Sequence, residues 1–140
     1  MRWLLLSLIV LGVGPAAHAA PTDLALVSGK TSLVVEVSRE QAERLFLGRL
    51  EALPDGVVIN PVDLPQGPIR DQFYLRLTGK NPNQIRAYWS RLVFAGRAVP
   101  PKQAQSVAEV KSLVNKFTDL VGYIPIAEVD NTVRVLLRIE

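Results

Sequence analysis

The sequence predicts an α/β domain in which helices pack on a small mixed sheet. Three segments combine a helix-capping signature with an amphipathic stripe, and short β-favouring runs lie between and around them. Taken in order, the elements read β-α-β-α-α-α-β-β, which is typical of a layered α/β domain. About 120 residues remain once an N-terminal leader is set aside, enough for one domain with one core.

The leader is residues 1–19, MRWLLLSLIVLGVGPAAHA, which have the organisation of a cleavable signal peptide. Its apolar run, residues 4–13, is about half the length that spans a bilayer. Residues 17–19, Ala-His-Ala, supply the small residues of a cleavage site. We therefore expect a mature protein that begins at Ala20, occupies the periplasm and does not insert into the membrane. A short membrane anchor is the alternative, and N-terminal sequencing of the exported protein distinguishes the two.

Composition removes several classes of chemistry from the predicted mature protein. The chain has no Cys, and its single His, His18, leaves with the signal peptide. The usual zinc ligands and the Ser–His and Cys–His nucleophilic arrangements are then absent. We expect no cofactor, no metal site and no catalytic residue, so the protein is predicted not to be an enzyme. Removing Arg2 leaves 15 Lys+Arg (16 − 1) against 13 Asp+Glu, and this net charge of +2 does not indicate a nucleic-acid partner.

The first elements are a strand and a capped helix. Residues 24–27 form a short β-favouring run, and residues 33–37, LVVEV, are either a further strand or an extended lead-in. Ser38 and Gln41 have the spacing of a capping box, and Gly48 is suited to the residue after the helix end. The buried side of this helix is predicted to be Ala42, Leu45 and Phe46.

A second strand, residues 57–62, leads through a Pro/Gly loop into the second helix. Pro68 suits the first helical position because its missing N–H has no partner there, and Gly67 would be the cap. The spacing of four residues predicts a buried line of Ile69, Phe73 and Leu77. Arg70 and Arg76 then lie off the core face, and we expect Arg70 to be a solvated side chain.

The third helix begins with a capping box of Asn81 and Gln84, with Pro82 at its first position. Its apolar stripe consists of Ile85, Tyr88, Trp89, Leu92 and Val93. We therefore expect Trp89 to be a core residue rather than a platform on which a ligand stacks. Residues 95–105 contain two consecutive prolines and a glycine without apolar periodicity, and we predict a flexible segment there.

The last helix has Ser106 and Glu109 at capping-box spacing. Its apolar stripe is predicted to be Val107, Val110, Leu113, Val114 and Phe117. A β-favouring run follows at residues 121–124. At the C-terminus, residues 133–139 alternate in the period-2 pattern of a half-buried strand.

Three stretches of the chain then resemble a known family. They are VSREQAERLFLGRLEALPDGVVINPVDLPQGPIRDQFY (37–74), AYWSRLVFAGRAVPP (87–101) and SVAEVKSLVNKFTDLVGYIP (106–125). Together they resemble the phosphate-binding subunits of ABC importers and, more closely, short single-lobe periplasmic proteins related to the phosphate ABC transporter substrate-binding proteins. The resemblance covers nearly all of residues 22–125. It implies that residues 20–140 form one lobe of a type II periplasmic-binding-protein fold.

The resemblance also implies an anion loop that has lost most of its ligands. In the full-length phosphate binders, the loop after the "PV" strand carries an Arg and then Ser-Gly-Thr, which bind phosphate. Residues 63–69 of this chain read DLPQGPI, and none of them carries a side-chain hydroxyl at the positions of that Ser and Thr. Pro68 also lacks the N–H that an anion would accept from, and the charge of Asp63 would repel an anion. If the loop still holds an anion, the contacting residues are expected to be Gln66, Gly67, Ile69 and Arg70.

Two functions stay open at this point. One is a solute-binding-type domain for a small anion such as phosphate, with weak or no phosphate binding, acting with a transporter and either alone or as a homodimer that rebuilds a cleft. The other is an interaction module that docks onto another envelope protein without a small ligand. The resemblance favours the first and the eroded loop favours the second.

Overall fold

The computed structural model describes residues 23–140 and confirms the predicted α/β class. The signal peptide, its cleavage site and the mature start at Ala20 lie outside the described residues. The strands are β1 (Leu24–Gly29), β2 (Asn60–Asp63), β3 (Lys102–Gln103), β4 (Leu120–Pro125) and β5 (Val133–Ile139). The α-helices are α1 (Arg39–Phe46), α2 (Pro68–Thr78), α3 (Pro82–Phe94) and α4 (Val107–Lys116), and a 3-10 turn spans Ile126–Glu128. In this part of the chain, no helix has the length and apolar character needed to cross a membrane.

The five strands form one mixed sheet in the order β3-β2-β4-β1-β5. β1 pairs antiparallel with both β4 and β5, whereas β2 pairs parallel with β3 and β4. Pro61 lies opposite Val121 in the β2–β4 pair, so the C-terminal end of β2 comes level with the middle of β4. β1 and β4 are buried along their whole length, as expected for strands covered on both faces.

The structure corrects the sequence prediction at two strands, β3 and β2, and decides between the two alternatives for residues 33–37. β3 was not predicted, and it lies within the 95–105 segment predicted to be flexible. Residues 33–37 form no strand; Val34 and Val37 are buried while Leu33 and Val35 are exposed, so the segment is a lead-in to α1. The strand predicted at residues 57–62 begins only at Asn60.

The helix ends follow the local signals closely. The capping boxes of α1 and α3 are complete, and Gly67 and Pro68 occupy the predicted first positions of α2. In α4, Ser106 Oγ accepts the Glu109 N–H at 3.1 Å, but the Glu109 carboxylate accepts the N–H of Gln105 instead of that of Ser106. The caps are predictable because each involves groups only a few residues apart.

Several residues at the ends of the predicted apolar stripes are exposed, whereas those at the centres are buried. On α3, Ile85 and Trp89 are buried, but Val93 at the C-terminal end is 47% exposed. Phe117 at the end of α4 and Val135 on β5 are also exposed, and Ile69 on α2 is only half-buried.

Trp89 joins α3 to the end of α1. A Cβ placed on Gly48 would lie only 2.9 Å from Trp89 Cη2, and Gly48 has a φ of +72°. A glycine is therefore required there both for the left-handed backbone and for the close approach of the indole. The Trp89 side chain is 8% exposed, which agrees with the predicted core role.

We predict that Trp89→Ala lowers the free energy of unfolding by about 3–5 kcal/mol, because it leaves a large cavity beneath α3. Phe94→Ala is the matched control on the same helix, since Phe94 is 96% exposed. It should change stability by less than about 0.5 kcal/mol. Equal denaturant midpoints for Trp89→Ala and the wild type would show that Trp89 is not a core residue.

Candidate functional site

A cavity of about 580 Å³ opens at the C-terminal end of β2, next to the predicted anion loop. Three of the four candidate anion contacts, Gln66, Gly67 and Arg70, line it together with Asp63. Ile69 is not among its lining residues and packs against the hydrophobic core instead. The opposite wall is formed by α3, including Arg86 and Trp89, and by the segment from Pro100 to Gln103.

Asp63, the last residue of β2, is a buried carboxylate with four hydrogen-bond donors. Its Oδ1 accepts from the Tyr123 hydroxyl and from the Leu64 N–H at 2.8 Å. Its Oδ2 accepts from the Tyr74 hydroxyl at 2.7 Å and from Arg70 Nε at 3.2 Å. All the hydrogen-bonding capacity expected of a buried carboxylate is therefore directed at groups of the protein itself.

Arg70 is not the solvated residue that the sequence led us to expect. Its side chain is 18% exposed, it pairs with Asp63, and its guanidinium lies 5.1 Å from the centre of the Tyr74 ring. Arg70 and Tyr74 are one helical turn apart on α2, so both side chains reach the end of β2. The i, i+4 spacing of Arg and Tyr after an Asp at a strand end is the signal that sequence reasoning missed.

Protonation in this cluster is fixed by burial and by the carboxylate. Burial, and then the charge of Asp63, raise the pKa of both Tyr74 and Tyr123 above the ordinary value of a tyrosine. Both hydroxyls therefore keep their protons and donate at any ordinary pH. Burial lowers the pKa of Arg70, but the adjacent Asp63 outweighs it and the pKa is raised, so the guanidinium stays charged.

The cavity as a whole carries no excess positive charge. Its charged lining residues are Asp63, Asp71, Arg70 and Arg86, two of each sign. At the start of α2, Pro68 has no N–H and Gly67 provides no side-chain cap. The first helical hydrogen bond is from the Asp71 N–H to the Gly67 carbonyl, which leaves the N–H groups of Ile69 and Arg70 as the backbone donors outside that ladder. An anion would thus meet two amides and a balanced set of charges.

A second cavity, of about 920 Å³, lies on the other side of Trp89. The two cavities share Trp89, Val93, Pro100 and Pro101. The Trp89 Nε1 is buried without a hydrogen-bond partner among residues 23–140, so the indole contributes packing here. In the same part of the chain, no group of three or more His, Cys, Asp or Glu side chains is arranged to hold a metal ion.

Several solved structures resemble this chain, including two phosphate transport proteins. One is an ABC-type phosphate transport receptor from Vibrio cholerae, with a TM-score of 0.64 and 22% identity, covering 82% of this chain and 46% of that one. The other is a protein from Clostridium perfringens described as a phosphate ABC transporter substrate-binding protein with bound phosphate, with a TM-score of 0.64, 20% identity and coverage of 84% and 46%. No protein-family model matches the chain, and no curated protein matches it.

The comparisons confirm the predicted fold. The chain has the periplasmic-binding-protein fold of these transport binding proteins, and it spans about half the length of the structures it matches, 46% in each case. The single-lobe architecture expected from the sequence agrees with this coverage.

We predict that Tyr123→Phe lowers the free energy of unfolding by about 1.5–3 kcal/mol, because it removes one charge-assisted donor to a buried carboxylate. Tyr88→Phe is the matched control, since the Tyr88 hydroxyl donates to the neutral Leu47 carbonyl at 2.6 Å. It should cost about 0.5–1.5 kcal/mol. A smaller loss for Tyr123→Phe than for Tyr88→Phe in chemical denaturation would contradict the role assigned to the Asp63 cluster.

Proposed function

We propose that the protein is an exported, periplasmic solute-binding-type domain related to the phosphate ABC transporter substrate-binding proteins, in which the anion loop binds phosphate weakly or not at all. The observation that carries the proposal is the pairing of Arg70 with Asp63. Arg70 is the only Lys or Arg in the loop and first turn of α2, residues 63–71, and its charge is already matched by the chain's own carboxylate.

Magnitudes support weak binding. A dissociation constant of 1 mM corresponds to about 4 kcal/mol. The two free amides at the start of α2 supply a helix-terminus effect of roughly 0.3–1 kcal/mol. An exposed cation such as Arg86 adds about 1 kcal/mol at most. Asp71 opposes both contributions, because it places a further negative charge on the cavity wall beside the Asp63–Arg70 pair.

The open cavity also favours weak phosphate binding. The chain corresponds to about half of the structures it matches, so a ligand in the cavity remains in contact with water unless a second body covers it. Hydrogen bonds and ion pairs contribute less in water than in a closed, desolvated site. A second copy of the chain, or a transporter subunit, would be needed to close the cavity.

We predict that calorimetric titration with phosphate gives a dissociation constant no tighter than about 1 mM. Arg70→Ala tests the loop directly, and Arg91→Ala, an exposed arginine of α3 outside the cavity lining, is the matched control. Micromolar binding that is abolished by Arg70→Ala and kept by Arg91→Ala would mean that the loop is a working phosphate site.

An interaction module is the second candidate, and three exposed apolar side chains close together in the sequence favour it. Val93, Phe94 and Val99 are 47%, 96% and 86% exposed in the segment that borders both cavities. Residues 72–108, which include this segment, contain six Lys or Arg and no Asp or Glu. An exposed apolar group on a basic stretch is suited to docking against an acidic surface of another envelope protein.

We predict that a photo-crosslinking amino acid at position 94 captures one discrete envelope protein in intact cells. The same substitution at position 33 is the control, because Leu33 is 70% exposed but lies in the lead-in to α1. Crosslinking only to a second copy of the chain would indicate the homodimer instead. Absence of any product specific to position 94 would contradict the module.

A further inference from the structure

The donors around Asp63 are arranged around two oxygens. Oδ1 receives the Tyr123 hydroxyl and the Leu64 amide, and Oδ2 receives the Tyr74 hydroxyl and Arg70 Nε. Two donors on each oxygen of a planar group match the lone pairs of one carboxylate. The Tyr123 ring that carries one donor is itself fixed by stacking on Phe73, with ring centres 3.7 Å apart.

We infer that these four groups form a binding site for a single carboxylate group, and that the ligand occupying it is the chain's own Asp63. The four donors come from different parts of the fold. The Leu64 amide follows the end of β2, the Arg70 and Tyr74 side chains come from successive turns of α2, and the Tyr123 hydroxyl comes from β4. The site is therefore built by the fold and not by the residue that fills it. Removal of the Asp63 side chain should leave a receptor for a small external carboxylate.

The geometry selects a carboxylate over a phosphate. A phosphate has further oxygens that need partners, whereas the four donors around Asp63 are all used by two oxygens. The neighbouring groups are the Phe46, Phe73 and Tyr123 rings, which pack within 6 Å of one another by their centres. A third phosphate oxygen would therefore find no further donor among these four groups, and the rings supply none.

Solvent can reach this site once the side chain is gone. Asp63 lines the 580 Å³ cavity together with Arg70, so the space that its side chain vacates adjoins that opening. The inference rests on the proposed function, because it names what occupies the loop that no longer serves an external anion. It adds the chemical class of the occupant, a monocarboxylate.

The test is Asp63→Gly, followed by thermal unfolding in formate, acetate, phosphate and chloride at matched ionic strength. Orphaned buried donors should lower the melting temperature by roughly 10–20 °C. Formate should restore about half of that loss at saturation, while phosphate and chloride should restore none. Asp63→Ala is the matched variant, because its methyl group occupies the space that the formate carbon needs, and its recovery in formate should be smaller.

One further variant and a second measurement on Asp63→Gly keep the outcome decisive. Val62→Ala, a buried neighbour on β2, loses stability without creating a carboxylate site, so formate should leave its melting temperature unchanged. If Asp63→Gly is unfolded in chloride, recovery of its helical circular dichroism in formate supports the inference. An Asp63→Gly protein that responds equally to formate, phosphate and chloride, or that stays unfolded in saturating formate, overturns it.

This experiment fails separately from the test of the proposed function. Tight phosphate binding by the wild-type protein would overturn the proposed function whatever Asp63→Gly does. Weak phosphate binding by the wild type combined with no formate-specific recovery in Asp63→Gly would overturn only the inference.

Discussion

The buried carboxylate of Asp63 is the constraint on which this structure depends. A charge at this depth is tolerated only when it is paired and fully hydrogen-bonded. The chain meets that requirement with one group from β2's own end, two from α2 and one from β4. The cluster therefore fixes α2 against the parallel strand pair. The aromatic core of Phe46, Phe73, Tyr74 and Tyr123 packs around the same point.

The ion pair between Asp63 and Arg70 changes the chemistry of the loop without changing its backbone shape. A strand end, a Pro/Gly loop and a helix start are present in the order that anion sites use. The charge that would attract an anion, however, is neutralised within hydrogen-bonding distance by Asp63. Under the proposed function, the strand–loop–helix shape is kept, while the ion pair, the missing hydroxyls and Pro68 weaken any anion binding.

The sequence predicted what depends on neighbours along the chain. Helix starts at Ser38, Asn81 and Pro68 were correct because capping involves groups within a few residues. β3 was missed because two residues gain strand character only by pairing with β2, some 40 residues earlier. The role of Asp63 was missed for the same reason, since its partner Tyr123 is 60 residues away. The sequence led us to expect that its charge repels an anion, whereas the pairing of that charge with Arg70 was not predicted.

The end of α3 raises a different physical question. Its apolar stripe is used by the core through Ile85 and Trp89 and continues to Val93, which is 47% exposed. The next residue, Phe94, lies off that stripe and is 96% exposed. Exposing Phe94 and Val99 brings this lobe no hydrophobic stabilisation, because that stabilisation requires removal of apolar surface from water. The fold therefore supplies no reason for large apolar side chains at these positions. The proposed interaction module would account for them. The absence of acidic residues from positions 72–108 would then suit an acidic surface on the partner better than a second copy with the same basic stretch.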